Sequence, residues 1–234
     1  MNEDWRASMR EWPCLVPDFT LTPASTALAV VDMQRCFLEA DMGLGALLRA
    51  RFPNAAEYYN SRLNATVLPN VQRILSAFRR AGLRVVHITV GPELPDGSDF
   101  SPLRRAANDQ AESRFKALFP RGAPEHTIMP EVAPLPGELV LNKITRSAFN
   151  STSLSLILSN LGIDGVLVCG VQTNACVEST ARDAADFGFK CVLVDDACQC
   201  FSPVMHNGTM MSFASLFGKV WDTARVLRWL EEGN

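Results

Sequence analysis

Apolar runs in this sequence end on residues with chemistry to offer. The run at 27–31 ends at Asp32, the run at 139–141 at Asn142-Lys143, and the run at 166–169 at a turn, Gly170-Val171-Gln172-Thr173-Asn174, that leads to Cys176. A thiol, a carboxylate and an ammonium amount to a nucleophile, a base for it and a cation that holds the charge in place. Cys176 is the most informative of them. It falls in the first turn of an expected helix, where free backbone N–H groups and the helix dipole favour a thiolate and suit the oxyanion of a tetrahedral intermediate. Each residue alone has a plainer reading: Cys176 as a small buried hydrophobe, Asp32 as a helix cap, Lys143 as a solvated surface lysine. Complementary groups arriving from separate strand ends weigh more than any one of them.

The elements that must position these groups follow from the spacing of apolar residues. Short runs occur at 27–31, 85–90, 139–141, 166–169, 191–194 and 220–221. Between them lie segments of helical spacing. One carries Val67, Val71, Ile74, Leu75 and Phe78 and stops at Gly82; another starts near Ser151 and stops at Gly162; a third spans 175–187 and stops at Gly188. Helices are also expected at 206–217 and 223–232. Residues 91–137, rich in Pro, Gly and charge, read as a long excursion with one short helix. Strands without strict alternation, bounded by helices, predict a single doubly wound α/β domain over 25–234: a mostly parallel β-sheet flanked by helices on both faces. Ligands of such sheets bind beyond the carboxyl ends of the strands, where Asp32, Lys143 and Cys176 are expected.

Composition narrows the function. The 234 residues are 47% hydrophobic and 20% charged with a formal charge of -3, so there is no electrostatic footprint for nucleic acid or an anionic membrane. No apolar run has the length of a membrane span, and the acidic N-terminus lacks the apolar core of a signal peptide. Seven cysteines, an odd count spread along the chain, fit reduced thiols in the cytoplasm better than a disulfide framework. No metal or other cofactor is expected: Cys198-Gln199-Cys200 lacks a partner pair, and His87, His126 and His206 form no ligand pair on one helix. Spacing leaves open a Cys–His pair using His126 or His206, though neither lies at a strand end. There is no G-x-S-x-G elbow and no glycine-rich phosphate loop.

The segments Ala29-Val30-Val31-Asp32-Met33-Gln34, Asn142-Lys143 with Ser147-Ala148-Phe149, and Gly170 through Cys176 to Ala184 resemble the isochorismatase-like cysteine hydrolase superfamily. That superfamily includes nicotinamidases and the amidohydrolases of N-carbamoylsarcosine, biuret and ureidoacrylate. The resemblance runs from about residue 25 to the C-terminus; residues 1–24 and much of 91–130 match nothing. It implies a triad of Cys176, Asp32 and Lys143. Asp32 takes the thiol proton, Cys176 attacks an amide or ureide carbonyl, and Lys143 holds thiolate and carboxylate in register. It also implies a cis peptide before Gln172 and an oxyanion hole from the N–H groups of Gln172 and Cys176. Nicotinamidases carry a metal site with two histidines between the first and second strands. No histidine precedes His87 here, so a metal-free amidase of a small amide, carbamoyl or ureido compound is implied.

Gln34, Phe37 and Phe149 are expected to line the substrate pocket, with plain core aromatics as the other reading of the two phenylalanines. Arg182 is expected to pair with Glu178 or Asp183. Arg104, Arg105, Arg114 and Arg121, in the long segment, are candidate anchors for a carboxylate. The N-terminal arm, 1–24, with Trp5, Trp12 and Pro13, is expected to reach a neighbouring subunit of a homo-oligomer. Two other classes stay open: a thiol redox protein pairing Cys176 with Cys169, Cys191, Cys198 or Cys200, and an inactive oligomeric binding protein on the same fold.

Overall fold

The computed structural model describes residues 5–11, 15–109 and 116–233. Its sheet has six strands: β1 (Thr26–Val31), β2 (Arg84–Val90), β3 (Leu139–Lys143), β4 (Gly165–Val171), β5 (Lys190–Gln199) and β6 (Lys219–Trp221). They are all parallel in the order β3-β2-β1-β4-β5-β6. Strands β1 and β4 are buried along their whole length, which is why their sequences run apolar instead of alternating. The order reverses between β1 and β4, so a crevice opens at their carboxyl ends. Gly170, near the end of β4, has φ of 118°, and a side chain there would overlap the Val31 carbonyl oxygen of β1. The two strands therefore approach closely where the site begins.

The helices are α1 (Trp5–Ser8), α2 (Arg35–Leu38), α3 (Gly43–Arg51), α4 (Pro53–Arg62), α5 (Leu68–Arg80), α6 (Pro102–Asp109), α7 (Leu154–Asn160), α8 (Glu178–Asp186), α9 (Pro203–Leu216) and α10 (Thr223–Glu232). Val71, Ile74, Leu75 and Phe78 form the buried face of α5, which packs with α10 against the sheet. Helices α8 and α9 also pack on β5, so this strand is covered by both layers. No helix among the described residues is long and apolar enough to cross a membrane.

The expected strands and principal helices are present, with two differences that bear on the site. Helices α2 to α4 were not evident in the sequence, because Gly43, Gly45 and Pro53 interrupt their apolar spacing. Strand β5 continues past Val194 to Gln199, so Cys198 lies inside it. The register with β4 jumps from Val168↔Leu193 to Gly170↔Cys198. The intervening bulge carries Asp195 and Asp196.

Trp5 is buried in this chain's own core, and Arg6 pairs with Asp195 at 2.7 Å. Trp12 and Pro13 lie outside the described residues. Elsewhere Glu138, just before β3, ties three elements together. It accepts from Arg79 Nε and Nη2 of α5 at 2.8 Å each and from the Leu135 N–H at 2.8 Å, and it pairs with His87 Nε2 of β2 at 3.0 Å. Burial works to raise the pKa of this carboxyl, but those bonds outweigh it and hold the group down at about 2, against an ordinary 4.5. A depressed carboxyl contributes stability that is complete above its unfolded value and is lost as pH falls through the folded one. Glu138→Gln is thus expected to flatten the acid limb of thermal stability below about pH 5, measured by melting temperature against pH.

Candidate active site

Asp32 follows β1 directly and has φ of 51°, an uncommon conformation for a residue with a side chain. Its N–H donates to the Ile88 carbonyl of β2 at 2.8 Å, and its own carbonyl accepts from Gln34 N at 2.7 Å. These bonds fix a sharp turn at the strand end. The carboxylate is buried, with Oδ2 accepting from Lys143 Nζ at 2.8 Å. Lys143, at the end of β3, is fully buried and reaches this carboxylate across the end of β2. Asp32 Oδ1 is buried with no protein partner.

Cys176 lies in a five-residue π-type turn, Thr173–Val177, that precedes α8 and has Gln172 as its N-cap. The helical segment therefore starts slightly earlier than the sequence suggests, and the Val171–Gln172 peptide is cis. The thiol departs from the thiolate expected of a helix start. Burial, then the charge of Asp32, push its pKa up to about 12, with Lys143 acting in the opposite direction. A thiol held up in this way needs a base before it can act as a nucleophile.

Asp32 and Cys176 face a crevice of about 390 Å³. Its apolar wall includes Phe37, Leu44, Leu47, Val90, Leu118 and Phe201, and its polar lining adds Gln172, Arg104, Asn108 and Arg146. Tyr59, a buried side chain of α4, accepts from Gln172 Nε2 at 2.8 Å, while Gln172 Oε1 is buried and unpartnered. Arg104 of α6 donates to the Ile144 carbonyl at 2.8 Å and stacks over Phe100. Burial lowers its pKa, while the charge of Asp32 acts to raise it.

The expected pocket residues divide. Phe37 lines the crevice. Gln34 sits behind it: Nε2 donates to the Val90 and His126 carbonyls, and Oε1 accepts from Val90 N, so its amide is spent joining the ends of β1 and β2. Phe149 is a core aromatic, packed on Phe187 and Phe189, because the Ala148 N–H bonds Thr180 Oγ1 and turns this segment under α8. Arg182 pairs with Glu178 at 2.7 Å, and Asp183 accepts from Asn150 instead. Of the arginines, Arg104 lines the crevice, Arg105 does not, Arg121 pairs with Glu93, and Arg114 lies outside the described residues. Arg146, three residues after Lys143, was not anticipated.

The histidines are engaged elsewhere. His87 bonds Glu138, His126 Nε2 meets Asn142 Oδ1 at 2.8 Å, and His206 is held by Asp195 and Thr173. None of them lines the crevice, which disfavours a Cys–His pair. Among the described residues, no group of three or more His, Cys, Asp or Glu side chains is arranged to hold a metal ion.

Fold and crevice together define a protein of the doubly wound α/β class, with a candidate site at the strand-order reversal. Comparison with known proteins makes the assignment definite. The isochorismatase domain profile matches residues 26–225, and the chain belongs to the isochorismatase family; it is a hydrolase. It is 32% identical over 213 residues to the ureidoacrylate amidohydrolase RutB of Acinetobacter baylyi, covering 87% of this chain and 82% of that one. A crystal structure of a cysteine hydrolase from Pseudomonas syringae pv. phaseolicola superposes with a TM-score of 0.79 at 26% identity, covering 95% of this chain and all of that one. N-carbamoylsarcosine amidase from Thermoplasma acidophilum superposes with a TM-score of 0.61 at 26% identity, covering 85% and 96% respectively.

Proposed function

We propose that this isochorismatase-family hydrolase of C–N amide bonds is a cysteine-dependent amidohydrolase. Its substrate in this reading is a small carbamoyl or ureido compound that also carries an anionic group. The observation that carries the reading is the buried Asp32–Lys143 pair, with one carboxylate oxygen unpartnered, beside the one cysteine that lines the crevice among the described residues. Asp32 Oδ1 takes the Cys176 proton as sulfur bonds to the carbonyl carbon. The carbonyl π pair moves to oxygen, where the N–H groups of Gln172 and Cys176 stabilise it. Collapse breaks the C–N bond and Asp32 returns the proton to the departing nitrogen, leaving a thioacyl enzyme. Water, deprotonated by Asp32, then displaces the sulfur, which recovers its proton. Lys143 holds the carboxylate in place throughout.

The polar lining of the crevice supports the substrate class. Asp32 Oδ1 and Gln172 Oε1 are acceptors without protein donors, suited to the N–H groups of a ureide. Arg104 and Arg146, which also line the crevice, supply cations for an acid. Relatives named for ureidoacrylate and N-carbamoylsarcosine support the same classes. The absence of a second cysteine from the described crevice lining favours hydrolysis over thiol redox exchange. The free, buried cysteines suit a reducing cytoplasm, and homo-oligomerisation, implied by the resemblance, is read out by light scattering.

The test is ammonia release by the purified protein from ureidoacrylate, N-carbamoyl amino acids, biuret, maleamate and nicotinamide. Turnover of the ureido and carbamoyl acids is expected, and inactivity on the whole panel overturns the proposal. Arg104→Gln is expected to raise KM for an anionic ureido acid by about 10- to 100-fold, the loss of a charge-assisted hydrogen bond. Its effect on the corresponding neutral amide should be several-fold smaller, as steady-state kinetics on matched substrates would read. Equal effects on both substrates would remove Arg104 from acid recognition.

A further inference from the structure

Beside the crevice lies a buried polar chain that the reaction above does not use. The β5 bulge pushes the Asp195 carboxylate between two partners. Oδ2 accepts from Arg6 Nη2 of the N-terminal arm at 2.7 Å, and Oδ1 faces His206 Nε2 of α9 at 2.6 Å. The other ring nitrogen of His206, Nδ1, meets the hydroxyl of buried Thr173 at 3.0 Å. Arg62 of α4 holds the bulge itself, donating to the Asp195 and Cys198 carbonyls at 3.2 Å each, and its Nη2 also lies 3.4 Å from His206 Nε2. Thr173 follows Gln172 directly and opens the turn that carries Cys176.

We propose that Asp195, His206 and Thr173 are positioning residues for the Cys176 turn, and that Arg6 makes the N-terminal arm part of the device. The carboxylate on Nε2 assigns a ring proton to that nitrogen, and Nδ1 on the opposite side of the ring meets the Thr173 hydroxyl. The hydroxyl is thereby held to α9, and the turn cannot slide along the helix axis without breaking a buried bond. A π-type turn is wider and less well bonded than an α-helical one, and such turns recur at functional sites; this one has a side-chain brace on the strand behind it. Arg6 pins the second oxygen of Asp195, which fixes the carboxylate plane and with it the imidazole. Displacement of reacting atoms by about 1 Å costs on the order of a hundredfold in rate, so a brace of this kind acts on kcat and leaves KM largely alone.

The inference rests on the reading of Cys176 as nucleophile, and two readouts keep the questions apart. One is the rate of Cys176 alkylation by iodoacetamide, followed by peptide mass spectrometry, which needs no substrate. The other is kcat against KM on whichever ureido acid is turned over. Thr173→Val, nearly isosteric, is expected to lower both alkylation rate and kcat about tenfold with KM within about twofold, and Thr173→Ser to restore them. Asp195→Asn and Arg6→Ala are expected to lower kcat about three- to tenfold, and Arg6→Ala combined with Thr173→Val to be no slower than Thr173→Val alone. Arg6 is half exposed, so Arg6→Ala keeps the fold and decides the arm's part by itself. Parental alkylation and kcat in Thr173→Val, or losses that multiply in the double variant, overturn the proposal. Brace-dependent alkylation with no hydrolysis of any amide would instead sink the amidohydrolase reading alone.

Discussion

Cys176→Ala is expected to abolish ammonia release, by about 10⁴-fold or more, with circular dichroism and melting temperature close to those of the parent. The side chain lost is small and lines a crevice, so little packing energy goes with it. Asp32→Asn is expected to cost nearly as much. The thiol, raised to about 12 by burial and by the neighbouring carboxylate, is almost wholly protonated at neutral pH and depends on a base within reach. Asparagine keeps the shape and can still accept from Lys143, but it takes no proton. In the proposed reaction thiol and base act as a unit, so the double variant should be scarcely slower than either single one. Multiplicative losses in that cycle, or activity retained in Cys176→Ala, would remove the cysteine from the reaction.

The second large effect concerns Lys143. Its ammonium and the Asp32 carboxylate are buried together at 2.8 Å, a pair whose mutual attraction mainly repays their own desolvation. Lys143→Met leaves the carboxylate charged and uncompensated, which costs about 3–5 kcal/mol. For a domain of this size that lowers the melting temperature by about 10 °C. Adding Asp32→Asn removes the stranded charge and should recover most of that loss, leaving the double variant folded and inactive. Calorimetry of the two single variants and the double one separates these contributions. If the double variant were no more stable than Lys143→Met alone, the residues would not be energetically coupled, and the electrostatic account of the pair would fail.

Much of the fold was legible because its central strands, β1 and β4, are covered on both faces, so each announces itself as an unbroken apolar run with a glycine-terminated helix further along the chain. The positions of Asp32, Lys143 and Cys176 at strand ends followed from that pattern. What the pattern does not encode is direction. The left-handed turn at Asp32, which sends Gln34 behind the crevice to bind backbone, has no signature in Asp-Met-Gln. Phe149 reads as a pocket wall until the Ala148 bond to Thr180 turns it into the core. Arg146 looks like any loop arginine, and the bulge in β5 that delivers Asp195 is hidden because Asp195-Asp196 looks like the end of a strand. Helices α3 and α4, which bring Leu44, Leu47 and Tyr59 to the site, are obscured by glycines and a proline.

The bare α-carbon of Gly170 has an effect beyond its own turn. Asp32 leaves β1 one residue past Val31, and the turn holding Cys176 leaves β4 just beyond Gly170, so the spacing of these two strand tips sets the reach between proton acceptor and thiol. With no side chain at Gly170, the strands close on each other until backbone meets backbone. A single methyl group there would act as a shim, widening the gap between two groups that exchange a proton in the proposed reaction, without touching either of them.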